Sequence, residues 1–337
     1  MYNIPVGKLA DPSNKMGIFE LDGEVYAQED LDNFFALAAP EIPKGTHPEA
    51  YIIGNTTASG TVAEAGGEAT LDYDMAYPIV WPQGIIDLQT EYNNKFGTNL
   101  FDTFLDAIDG TYCTYKGGDD PVVDGTSPTR QCGTFKPPNV ISISYGLAEE
   151  EYPVNYQKRQ CDEYMKLGLG GVSLFLASGD YGVAEDDCLG PNADIFVSDQ
   201  AAACPYMTAV GSTELPKGTT AGDEEIATAR FGSGGGFSNI FPQPAYQKHA
   251  VNQHSRPKTN TLQVVQVPRP RIQELHHQGR CPAYQRRCLQ RWRPRIPGHF
   301  GRGRCRSRGC ECQDRHHRRH VHERADPGWL VQPDQRG

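Results

Sequence analysis

Apolar positions over roughly the first 250 residues recur at two periods. Residues 16–19 (MGIF) form a short apolar run after a Ser13-Asn14 turn, which predicts a buried strand. Leu31, Phe34 and Phe35 then fall at i, i+3 and i+4 within residues 27–35, the spacing of one helical face. Residues 140–145 (VISISY) and 172–177 (VSLFLA) are apolar runs of strand length. Between them Cys161, Tyr164, Met165 and Leu167 recur near helical spacing, and Gly168 and Gly170 suit a helix end. A strand, a crossover helix and a second strand predict a parallel sheet, so the expected fold class is α/β, a parallel sheet flanked by helices.

Other segments read as connections or short elements. Residues 54–67 are rich in Gly, Thr, Ala and Ser and predict an exposed loop, followed by a helix from about Glu68. Residues 206–210 predict a strand. The run 231–237 (FGSGGGF) predicts a tight glycine loop; no Gly-Lys-Ser/Thr follows it, so a structural turn is the better reading than a phosphate cradle. Residues 117–128 are rich in Gly, Pro and Asp and predict a surface excursion, Ser127 included.

The pattern stops near residue 250. Up to Lys248 the chain carries 36 acidic and 13 basic residues, and from His249 it carries 6 and 19. Lys outnumbers Arg 10 to 3 before that point, Arg outnumbers Lys 18 to 1 after it, and nine of the ten His lie beyond it. The second segment could be a nucleic-acid-binding tail, a zinc-binding segment using Cys310, Cys312, His316, His317 and His320, or translation in a wrong frame. The third reading fits best. Residues 280–324 show neither apolar period, Cys310 and Cys312 are too close for a zinc pair, and the composition is what GC-rich codons give when misread. Moving the frame by one base over residues 285–293 permits Ser-Asp-Val-Ala-Ser-Asn-Gly-Gly, which reads as ordinary protein. The expected organisation is therefore a domain over 1–250, with its C-terminal part missing or scrambled, and a frame-shifted tail over 251–337. No run is long and apolar enough to span a membrane, and no basic-then-apolar leader opens the chain.

Candidate chemistry is carried by acids. Glu68 and Asp72 stand four apart, so on a helix they share a face one turn apart; two carboxyls so placed repel, and one tends to keep a proton or find a donor. Asp180 follows directly on an apolar strand, at the end where active sites of open α/β sheets lie, although helix caps and turns also place acids there. Cys113, Cys132, Cys161, Cys188 and Cys204 precede the break. Their polar flanks suggest disulfides in an oxidising compartment, with Cys113–Cys132 and Cys188–Cys204 the expected pairs.

Taken in order, several segments resemble the sedolisin (serine-carboxyl peptidase) family, in particular its fungal tripeptidyl-peptidase-like members. They are residues 15–20 (KMGIFE), 27–32 (AQEDLD), 45–48 (GTHP), Glu68-x-x-x-Asp72, 141–146 (ISISYG), 177–180 (ASGD), 204–211 (CPYMTAVG) and 233–238 (SGGGFS). The resemblance implies a subtilisin-like α/β fold and peptide-bond hydrolysis through a Ser-Glu-Asp triad. In it Glu68 is general base, Asp72 orients Glu68, and Asp180 donates to the oxyanion. A carboxyl donates only while protonated, and a carboxylate base works at low pH, so acidic conditions are expected. Ser144 and Gly146 would line the edge that takes the substrate backbone as an added strand. Glu149 and Glu150 nearby could meet a peptide's free amino group, but a solvated acidic turn is the better reading.

The chain also departs from the family. The nucleophile expected in a Gly-Thr-Ser-Ala-type motif after the glycine loop is not found, nor are the ligands of the calcium ion the resemblance implies. The family's signal peptide and pro-segment are not seen. The expectation is a secreted acid peptidase, exo- or endo-acting, whose written form lacks its serine and is inactive. Its partner is a peptide or protein substrate, with no membrane, nucleic acid improbable and oligomeric state not legible. The alternative is a non-catalytic pseudo-peptidase whose basic Cys/His tail binds nucleic acid or zinc.

Overall fold

A computed structural model describes residues 4–254 apart from 6, 22, 93–99, 115, 117, 119, 121, 125–129, 184–188, 190–194 and 229–230. The chain divides into two compact units, Met1–Pro297 and Gly298–Gly337, and every described residue belongs to the first. The tail expected over 251–337 therefore lies, after its first four residues, outside the described residues.

In chain order the elements are β1 (Met16–Leu21), β2 (Tyr26–Ala27), α1 (Gln28–Ala38), β3 (Glu49–Ile53), β4 (Ser59–Gly60), α2 (Gly67–Val80), β5 (Ile85–Thr90) and α3 (Asp102–Ile108). They continue with β6 (Val140–Ile143), α4 (Val154–Leu169), β7 (Ser173–Ala177), β8 (Thr208–Val210), β9 (Thr213–Glu214), β10 (Ile226–Ala227) and α5 (Lys248–His254). Six strands form one sheet in the order β3-β5-β1-β6-β7-β8, every pairing parallel. The expected α/β class, a parallel sheet flanked by helices, is what is observed. The first strand stands inside the sheet: the chain adds strands on one side of it, then reverses and adds β6, β7 and β8 on the other. Such a reversal opens a crevice at the carboxyl ends of the strands, the usual ligand position in open α/β sheets.

Alternation along the strands assigns the two faces. Phe19, Leu88, Ile141, Ile143, Leu174 and Leu176 pack with Phe104 and Leu105 of α3 and with Tyr164 and Leu167 of α4. On the opposite face Ile18 and Ile85 pack with Leu31 and Phe35 of α1 and with Tyr73 and Tyr77 of α2. The predicted face of α1 is thus the buried one. The second face is clothed only in part among the described residues: Val140, Phe175 and Val210 remain 37%, 39% and 52% exposed. Helix α2 also leaves Leu71, Met75 and Ile79 exposed, an apolar row at intervals of four.

Two expectations are corrected. The excursion over 117–128 is not wholly at the surface: Val123 and Asp124 are buried, Val123 packing on Tyr152 and Tyr156 while the Tyr156 hydroxyl donates to Asp124. Helix α4 ends as expected, with Gly170 its C-cap, and Gly171 just after it is left-handed (φ 93°). Cys113–Cys132 forms as expected, but Cys204 pairs with Cys161 of α4, not with Cys188, which lies outside the described residues. Helix α4 turns Cys161 inward, 3% exposed, against the β7-to-β8 connection that carries Cys204. A non-reducing peptide map is expected to recover Cys113–Cys132 and Cys161–Cys204, and Cys161→Ser to lower unfolding free energy by about 2–4 kcal/mol in a denaturant titration.

Candidate active site

Helix α2 begins where a carboxylate from elsewhere stands in for a side-chain cap. Gly66 at the N-cap offers no side chain, and Glu24, from the turn after β1, accepts the Glu68 backbone N–H at 3.0 Å. Glu24 comes so near that a Cβ on Gly66 would lie 2.0 Å from its carboxylate oxygen, which is why glycine is required there. The capping carboxylate suits the positive end of the helix dipole, but it also sets a negative charge beside Glu68.

Glu68 therefore lies in the first turn of the helix and Asp72 follows one turn later, both half-buried. The Ser144 hydroxyl, just past the end of β6, donates to both Asp72 oxygens at 2.9 Å each. Burial raises Asp72 to about 6 against the opposing Ser144 bond. Glu68 is raised to about 7, first by burial, then by the charges of Asp72, Glu24 and Asp180, while Ser144 lowers it. The pair thus holds protons in mildly acidic water that ordinary carboxyls would have lost.

Behind the pair lies a residue to which the sequence reading gave no role. Glu20 of β1 is fully buried, accepts the Tyr145 hydroxyl at 2.6 Å, and is raised to about 9, chiefly by burial. Period-2 alternation was the available signal: Ile18 and Glu20 share a face, so an inward-pointing acid was implied once that face was known to be core.

Asp180 lies in the turn after β7, exposed and close enough to act electrostatically on Glu68. Its turn is held by the glycine loop. Gly232 N–H donates to Asp180 O (2.9 Å), Gly182 N–H to Gly232 O (2.8 Å), Gly234 N–H to Gly179 O (2.7 Å) and Gly235 N–H to Gly182 O (2.9 Å). A Cβ on Gly234 would sit 1.6 Å from the Ser178 carbonyl oxygen, so close backbone approach demands glycine. The structural reading of that loop holds, and its task is to fix the Asp180 turn.

The structure thus brings Glu68, Asp72, Ser144 and Asp180 together at one end of the sheet. Both ladders of β6 end at Ile143, and Ser144, Tyr145 and Gly146 continue past them; Gly146 accommodates Asp199, whose Oδ2 a Cβ would meet at 1.7 Å. Glu149 is elsewhere engaged: it is fully buried and accepts Ser238 Oγ and the Asn239 backbone (2.9 Å), so it pins the 238–239 turn and is not open to a peptide amine. Among the described residues no group of three or more His, Cys, Asp or Glu side chains is arranged to hold a metal ion.

Fold and site together define an α/β protein with a half-buried carboxyl pair at the carboxyl ends of a parallel sheet. Tripeptidyl-peptidase sed1 of Aspergillus fumigatus is 46% identical over 271 residues, covering 75% of this chain and 42% of the relative. Aorsin of Aspergillus oryzae is 46% identical over 279 residues, with 74% and 42% covered. Tripeptidyl-peptidase SED1 of Arthroderma otae is 33% identical over 293 residues, with 75% and 43% covered. Among solved structures, Pseudomonas sedolisin (serine-carboxyl proteinase), complexed with two molecules of pseudo-iodotyrostatin, aligns at a TM-score of 0.44 and 16% identity over 70% of this chain and 61% of that one. No protein-family model matches. Over the stretch that aligns, the chain is similar to fungal tripeptidyl-peptidases. It spans less than half the length of these curated relatives.

Glu24→Gln keeps an acceptor at the α2 N-terminus but removes the neighbouring charge. Carbon-detected titration of the Glu68 carboxyl is expected to show its pKa falling from about 7 toward the ordinary glutamate value, because one of the charges that raise it is gone.

Proposed function

We propose that residues 1–250 are the greater part of the catalytic domain of a serine-type peptidase acting in acid, hydrolysing peptide or protein substrates as a tripeptidyl-peptidase or an endopeptidase. The observation that supports this most directly is the Glu68–Asp72 pair, one helical turn apart, raised to about 7 and 6 and hydrogen-bonded through Ser144. In its ionised form, a carboxylate whose basicity burial has raised is a stronger general base for a hydroxyl nucleophile than an ordinary one, and a neighbouring acid orients it and tunes its charge. Glu68 takes the proton of the attacking serine hydroxyl and returns it to the leaving amine. Asp72 holds Glu68 in place. Asp180, protonated, donates to the oxyanion of the tetrahedral intermediate. The backbone of residues 144–146, beyond the ladders of β6, accepts the substrate as an added strand.

The nucleophile is assigned to no residue of this chain, and we propose that the 337-residue polypeptide is itself inactive, its last segment being out of frame. The calcium ion expected from the family finds no donor set among the described residues, and no step runs through it. An extracellular location is proposed from the family and from two disulfides, which persist in oxidising compartments. No described helix is long and apolar enough to cross a membrane. The tail cysteines and histidines on which zinc or nucleic-acid binding would rest lie outside the described residues.

Residues 1–250 joined to the remaining C-terminal part of the Aspergillus fumigatus relative are expected to cleave a chromogenic tripeptide substrate in acid. Glu68→Gln should lower kcat by at least about 100-fold. Asp180→Ala, which offers the oxyanion no donor, should lower kcat by about 100-fold. A folded chimera in which Glu68→Gln retains full activity refutes the assignment. The 337-residue chain itself should show no turnover.

A further inference from the structure

Beneath α2 lies a buried polar layer that the peptidase reading does not use. Strands β1 and β5 run in register with Ile18 opposite Asp87 and Glu20 opposite Gln89, so Glu20, Asp87 and Gln89 share the face that meets α2. All three are 0% exposed. Gln89 is satisfied in part, its amide donating to Leu21 O at 2.7 Å, and Glu20 accepts from Tyr145. Neither oxygen of Asp87, nor Glu20 Oε1, nor the Tyr73 hydroxyl reaches a partner with full hydrogen-bond geometry.

The groups facing Asp87 are acids and phenols. Helix α2 presents Tyr73 and Tyr77 and, further along, Asp72; β2 presents Tyr26; β1 presents Glu20. Strand β3, on its other side, places Ala50 opposite it, and the buried residues of α1 are Leu31 and Phe35. The described ion pairs include none of these residues. An ionised carboxylate in such a place has neither cation nor sufficient donors, and its cost is several kcal/mol, whereas the neutral acid fits.

We propose that Asp87 and Glu20 are positioning residues for the α2 helix: as neutral acids they let α2 seat on the sheet, and their ionisation unseats it, so that the Glu68–Asp72 pair is held in place only in acid. The proposal goes beyond the peptidase reading and stands without it, since it concerns where a helix sits and not what its acids do. Burial raises Asp87 to about 7, with the Tyr73 phenol opposing. Burial also raises Glu20 to about 9, and the charges of Asp72, Asp87 and Glu68 add to that shift. Because both folded values exceed those of an unfolded chain, near 4, the folded state binds more protons. The stabilisation is complete below about pH 4 and is lost as pH rises through 7 for Asp87 and on toward 9 for Glu20.

The test is thermal unfolding of the full chain between pH 4 and 8, with Asp87→Asn and Glu20→Gln alongside. Wild type should lose about 10 °C or more in Tm over that range, and Asp87→Asn, which stays neutral throughout, should flatten the curve and cross above wild type near neutrality. Parallel curves for wild type and Asp87→Asn overturn the proposal, because other buried acids would then set the pH dependence. If Asp87→Asn does not fold, hydrogen exchange on wild type decides: protection in α2 should fall before protection in α4 as pH rises. Simultaneous loss, or a chain already unfolded at pH 4, refutes it. Assay of the active chimera is a separate matter, so failure of the catalytic assignment leaves this measurement intact.

Discussion

Much of the described structure turns on burying carboxyl groups where there is no positive charge to meet them. Glu20, Asp72 and Asp87 occupy the interface between the sheet and α2, and Glu68 sits at its mouth with Glu24 beside it. In such a setting a carboxyl keeps its proton, because desolvation penalises only the charged form. Acid–base chemistry and helix seating then draw on the same physical source. Other acids in the domain follow the opposite arrangement: Asp109 is held well below its ordinary value, overcoming burial, by Lys166 and the Thr111 bonds. The contrast is between one acid site with cations nearby and another deprived of them.

How much of this was legible in the sequence depended on whether side-chain chemistry agreed with backbone placement. Strands β1, β6 and β7 and helices α1 and α4 announce themselves because their apolar residues fall at the period of the element. Strand β5 does not: it reads IIDLQT, all six residues are buried, and Asp87 and Gln89 interrupt what would otherwise be a plain core strand. The feature that concealed the strand is the one that makes its layer pH-sensitive. Short β8 was visible from sequence, whereas β3 has only its last residue fully buried and left little pattern.

The site was legible in its acids but not in its supports. Glu68, Asp72 and Asp180 could be named because helical spacing and strand ends constrain them, and because the ordered motifs resemble a known family. Glu24, Tyr145 and the true partner of Cys204 could not, since each acts across a long sequence interval: Glu24 caps a helix 44 residues on, and Cys161 and Cys204 are 43 apart. Glu149 shows the converse error. A solvated acidic turn is a fair expectation for three consecutive glutamates, yet the first is drawn inward by Ser238 and Asn239. Contacts formed by tertiary packing leave no local period to find.

The four backbone bonds between residues 179–182 and 232–235 have a bearing on the timetable of biosynthesis. A nascent chain emerges from its N-terminus, so the Asp180 turn must wait until some fifty further residues have cleared the ribosome before it can be braced. Glu68, Asp72 and Ser144 can be brought together earlier, from segments already translated. The Glu68–Asp72 pair is thus assembled ahead of the braced Asp180 turn, and a chain halted between the two would carry the first without the second.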